Sequence, residues 1–131
     1  MLKNWKLGIV LAAAAILSAC GGGGSGSDPT PRGAIAIQPA NGFGAIGVNY
    51  TSQPEANSRA IDDCGGATRC VVALEFAGHG TCGSIAVATN GVWGVASSGS
   101  KEVADKQAVE SCVQRGGQTC LIPQWLFQQC H

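Results

Sequence analysis

The chain predicts a small α+β domain in which two pseudo-symmetric β-β-α-β repeats form an antiparallel sheet with two helices and three disulfides. Three observations carry this. A segment recurs after about fifty residues, six cysteines fall within residues 33–131, and in both halves a glycine-terminated helical pattern follows short apolar runs.

The repeat sets the organisation. Gly33-Ala-Ile-Ala-Ile37 is echoed by Gly83-Ser-Ile-Ala-Val87, and at the same offset Gly42-Phe-Gly-Ala45 aligns with Val92-Trp-Gly-Val95. Ala56, Ala60 and Cys64, spaced by four, are matched by Ala104, Ala108 and Cys112. Cys70-Val-Val then faces Cys120-Leu-Ile, and Cys82 and Cys130 close the two units, 33–82 and 83–130.

Each unit opens with an apolar run, 34–38 and 84–88, ended by the turn residues Pro39-Ala-Asn-Gly42 and Thr89-Asn-Gly91. A second strand follows, 43–50 and 93–97, completing a hairpin with an aromatic residue near its turn. Ser52 stands three residues before Glu55 with Pro54 in the first turn, which is a helix start, and Ser100 takes the same place in the second unit although Val103 replaces the glutamate. Alanines at i and i+4 with a cysteine at i+8 share one helical face, and small residues there let the helix lie close to a sheet. The helices stop at Gly65-Gly66 and Gly116-Gly117, and third strands are expected from Cys70 and from Cys120.

Residues 1–19 read as a lipoprotein signal peptide: Lys3 and Lys6 precede the apolar run 7–19, whose thirteen residues are fewer than the ~20 that span a bilayer. The segment Leu17-Ser18-Ala19-Cys20 resembles a bacterial lipobox, which makes Cys20 the expected lipidation site and membrane anchor. Residues 20–32, rich in Gly, Ser and Pro, are expected to be a flexible tether reaching about 20 Å, with 33–131 as the single folded domain. Without the signal, six Lys and Arg stand against eight Asp and Glu, and no basic patch supports nucleic-acid binding.

Six cysteines in an exported domain of this size imply a disulfide framework. With three per unit at least one bridge crosses between units, and two-fold pseudo-symmetry selects Cys64 with Cys70, Cys112 with Cys120, and Cys82 with Cys130.

Few residues point to chemistry. Gly42-Phe-Gly-Ala-Ile-Gly47 matches a dinucleotide turn, but Val48-Asn-Tyr-Thr51 follows where a helix N-terminus would have to meet a pyrophosphate. His79 and Cys82 with Cys64 and Cys70 suit no common zinc spacing, and disulfides compete for the thiols. Asp62, Asp63 and Glu75 could serve acid–base work but fit a solvated surface, and Trp125-Leu-Phe127 fits either a core run or an anchor for a partner. No metal, no cofactor and no catalytic residue is expected.

The combined pattern AIA, GFG-x-x-G-x-x-Y-x-S, A-x3-A-x3-C, C, C-GSIAVA and a second A-x3-A-x3-C resembles a family of small exported bacterial domains of unknown function, DUF4189. The resemblance covers residues 33–130 and implies a disulfide-rich α+β fold outside the cytoplasm, with no established catalytic residues. The expected function is a monomeric, non-catalytic envelope binding module of inhibitor or immunity type. It would be lipid-anchored at the outer membrane, with an envelope or secreted protein as partner. The alternatives are a small hydrolase using His79 and a structural envelope protein.

Overall fold

The computed structural model describes residues 29–131, so the expected signal peptide, the expected lipidation site Cys20 and the expected tether up to residue 28 lie outside the described residues. The element order is β1 (Arg32–Ile37), β2 (Gly44–Tyr50), α1 (Gln53–Cys64), β3 (Val71–Ala77), β4 (Cys82–Val87), β5 (Trp93–Ser98) and α2 (Lys101–Gln114). The fold is α+β, and its strands lie in two antiparallel sheets, β2-β1-β3 and β4-β5, where the repeat suggested one.

The reason for two sheets is in the strands that lead each unit. In β1, Ala34 and Ala36 pack with Ala56, Ala60 and Cys64 of α1, while Ile35 and Ile37 pack with Ile85, Phe76 and Leu126. Ala86 and Ala88 likewise meet Ala108 and Cys112. Small side chains on one face admit a helix, and branched ones on the other need a second sheet, so the layers run helix, sheet, sheet, helix. Gly94 allows the closest approach, since a Cβ there would collide with the Cys112 and Ala108 backbone of α2.

Phe76 fills the middle layer between the two leading glycines of the repeat: a Cβ on Gly33 would lie 2.7 Å from its Cε2, and one on Gly83 2.7 Å from its Cδ1. The helix starts are as expected, with Ser52 Oγ accepting from the Glu55 N–H and Ser100 Oγ from the Val103 N–H. Gly65 ends α1 at φ 134.

Two further expectations are corrected. The Gln38 N–H donates to the Phe43 carbonyl and the Ala88 N–H to the Val92 carbonyl, so the first turn holds four residues, 39–42, and the second three, 89–91. Phe43 therefore corresponds to Val92 and Gly44 to Trp93, one residue off the alignment at constant offset. The sulfurs agree, Cys64 Sγ lying 3.9 Å from the Phe43 carbonyl and Cys112 Sγ 3.8 Å from that of Val92.

The third strand of the second unit is the other correction. Leu121 pairs with Val87, the counterpart of Val71 with Ile37, but the ladder then stops and resumes only where Gly83 donates to the Gln129 carbonyl and Cys82 faces Cys130. Nine residues, 121–129, accompany five of β4, 83–87, so the excess leaves the sheet. Pro123 has no N–H to donate and Gln128 sits at φ 50, which fits that departure.

The three disulfides join Cys64 to Cys70, Cys112 to Cys120 and Cys82 to Cys130, the pairs selected by the duplication. The first two staple each helix end to the following segment, and the third ties the C-terminal strap, residues 121–131, to β4.

Candidate binding surface

The excursion of the strap builds an aromatic surface. Trp125 donates its indole Nε1–H to the Gly42 carbonyl at 3.1 Å, and its ring lies over Gly44, where a Cβ would come within 2.7 Å of it. Leu126 turns into the core, whereas Phe127 is 65% exposed and Phe43 46% exposed. The Phe43 and Trp125 rings lie 6.5 Å apart between centroids, inclined at 53°. With Ala45, Ile46 and Asp63 these three aromatics line a shallow cavity of about 250 Å³.

This surface also accounts for the glycine motif. Gly42 takes φ 75 in the turn, Gly44 makes room for Trp125, and Gly47 lies against Tyr50 within β2. The segment enters a hairpin strand that continues to Tyr50, so the glycines do not lead into a helix N-terminus, α1 beginning only at Gln53.

The best organised polar cluster was not anticipated. Ser84 Oγ donates to Asp105 Oδ1 at 2.6 Å, Gln129 Nε2 donates to the same oxygen at 2.8 Å, and Lys101 Nζ donates to Oδ2 at 2.5 Å. Burial opposes ionisation of Asp105, but the hydrogen bonds from Lys101, Ser84 and Gln129, with the Lys101 charge, outweigh it and hold the carboxyl below its ordinary value. Ser84 is fully buried, so the cluster offers no nucleophile to solvent.

In the first unit Gln53 Nε2 bonds the Gly33 carbonyl and Asn57 Oδ1, and in the second Gln129 Nε2 bonds the Gly83 carbonyl and Asp105 Oδ1. The same amide position is thus filled from the start of the helix in the first unit and from the C-terminal strap in the second. The one sequence signal was the change from Ala34 and Asn57 to Ser84 and Asp105 between repeats.

His79 is exposed in the turn between β3 and β4. It is separate from Asp105, whose bonded partners are Ser84, Gln129 and Lys101. Cys64, Cys70 and Cys82 are oxidised, which removes them as zinc ligands, and Asp62, Asp63 and Glu75 are exposed. Among the described residues no helix is long and apolar enough to cross a membrane.

No curated protein and no solved structure matches the chain. A family model described as a domain of unknown function, DUF4189, matches residues 33–126, from the leading glycine of the first repeat to the buried Leu126 of the strap, and the chain belongs to that family.

Proposed function

We propose that the protein is an exported, lipid-anchored and non-catalytic binding module that meets an envelope or secreted protein through Phe43, Trp125 and Phe127. The observation that carries the reading is this exposed aromatic cluster on a cross-linked scaffold. Aromatic side chains concentrate binding energy, and a rigid presenter spends little of it on ordering.

Orientation supports it as well. β1 begins at Arg32, where the tether would enter, and ends at Ile37 beside the hairpin that carries Phe43. Five steps of about 3.3 Å separate the aromatic surface from the tethered end by roughly 17 Å, which leaves it clear of the point of attachment. Hydrolysis through His79 lacks comparable support, because the serine and carboxylate that are held together, Ser84 and Asp105, are sealed from solvent on the serine side.

A photo-crosslinking residue at position 127 in the full exported chain tests the proposal. A discrete adduct with one envelope or secreted protein, lost when Phe43 is changed to Ser, is expected. Cross-linking to lipid alone, or none, would overturn it.

A further inference from the structure

The two units differ in how the hairpin turn meets the loop after the helix. In the second unit that space is closed: Thr89 donates to the Gln118 carbonyl through both N–H and Oγ1, Asn90 Nδ2 donates to the Gly116 carbonyl, and Asn90 Oδ1 accepts from the Gln118 N–H. In the first unit Asn41 is turned onto its own hairpin instead, donating to Gln38 Oε1 and accepting from the Phe43 N–H. Gln38 crosses instead, from Nε2 to the Cys64 carbonyl at 2.7 Å. The corresponding space is an open groove of about 610 Å³ between residues 38–41 and 67–71. That volume lies within the range of roughly 300–1,000 Å³ usual for small-ligand sites.

The lining sets the chemistry. Pro39, Ala40 and Val71 give apolar walls, Thr68 adds a hydroxyl, and Arg69 supplies a guanidinium that pairs with no carboxylate among the described residues. A lone planar guanidinium suits a singly charged carboxylate, which it can hold with two parallel hydrogen bonds. We infer that the groove between the first hairpin and the α1–β3 loop binds a small ligand carrying one carboxylate beside an apolar group, with Arg69 as its anchor. The inference goes beyond the aromatic surface and uses other residues, so either can fail alone.

Titration of the ¹⁵N-labelled full chain in detergent with N-acetyl-L-leucine tests it, with the N-methylamide of the same compound and inorganic phosphate as comparisons. Saturable shifts at Asn41, Thr68 and Arg69 are expected, at least tenfold weaker with the amide and at least tenfold weaker after R69Q. Arg69 is exposed, so the variant should fold, which an unchanged set of disulfides would verify. Equal affinity for acid and amide, tighter binding of phosphate, indifference to R69Q, or no saturable shift up to about 10 mM would each overturn the inference.

Discussion

The imidazole Nδ1 of His131 accepts a hydrogen bond from the backbone N–H of Asn49 at 3.0 Å, across 82 residues of sequence. Asn49 stands at φ 64 inside β2, and the His131 ring stacks on Phe76 with centroids 4.9 Å apart. An accepting Nδ1 requires the neutral imidazole.

Burial holds the His131 pKa below its ordinary 6.5, the Phe76 carbonyl opposes this, and the charge of His79 adds to the lowering. The unfolded chain therefore binds the proton more readily than the folded one. This contribution to stability is complete above about pH 6.5 and is lost as pH falls through the lower folded value. Urea unfolding between about pH 5 and 7.5 should show stability rising to a plateau near 6.5, and His131→Phe should flatten that rise.

Gly33 and Gly83 flank the Phe76 ring closely enough that a methyl group at either would collide with it. Gly33→Ala or Gly83→Ala should each cost about 1–3 kcal/mol through overpacking, seen as a lower Tm with all disulfides intact. Shortening Phe76 to Leu in the same chain should recover part of the loss. If each alanine variant melted like the parent, the middle layer would be looser than described.

The Ser84–Asp105–Gln129 cluster is predicted to be structural. Asp105→Ala would leave the buried Ser84 hydroxyl and Gln129 amide short of an acceptor, a loss of about 1–3 kcal/mol. The double change Ser84→Ala with Asp105→Asn copies the Ala34 and Asn57 of the first unit and should be milder than Asp105→Ala alone. Thermal melts of the three proteins check the order.

The disulfides should be unequal. On the chain-entropy model the Cys82–Cys130 bridge, closing a separation of 48 residues, contributes about 4 kcal/mol, and Cys64–Cys70, with a separation of 6, about 2 kcal/mol. Paired Cys→Ala variants measured by denaturant unfolding should follow that ranking.

Much of the fold was legible because it was written twice. Ala56, Ala60 and Cys64 recur as Ala104, Ala108 and Cys112, and in both copies they are the buried residues of the helix. Ser52 and Ser100 mark both helix starts, because a cap is a local hydrogen bond between residues three apart. The bridge pairing followed from symmetry for the same reason. The aromatic surface was only half visible: Trp125-Leu-Phe127 stood out as a run, but its split into a packed Trp125, a buried Leu126 and an exposed Phe127 did not.

What the sequence determined by itself, then, was local: the helices and their caps, the leading strands, and the cysteine partners that repetition singles out. Tertiary structure alone decided the number of sheets, the breaking of the last strand into a strap, and the meeting of Gln129 with Asp105 and of His131 with Asn49. Those outcomes depend on which faces remain to be covered once the helices have docked on the alanines, and on groups up to 82 residues apart. Side-chain spacing along a chain reports the period of an element, but it carries no record of what packs on the far side.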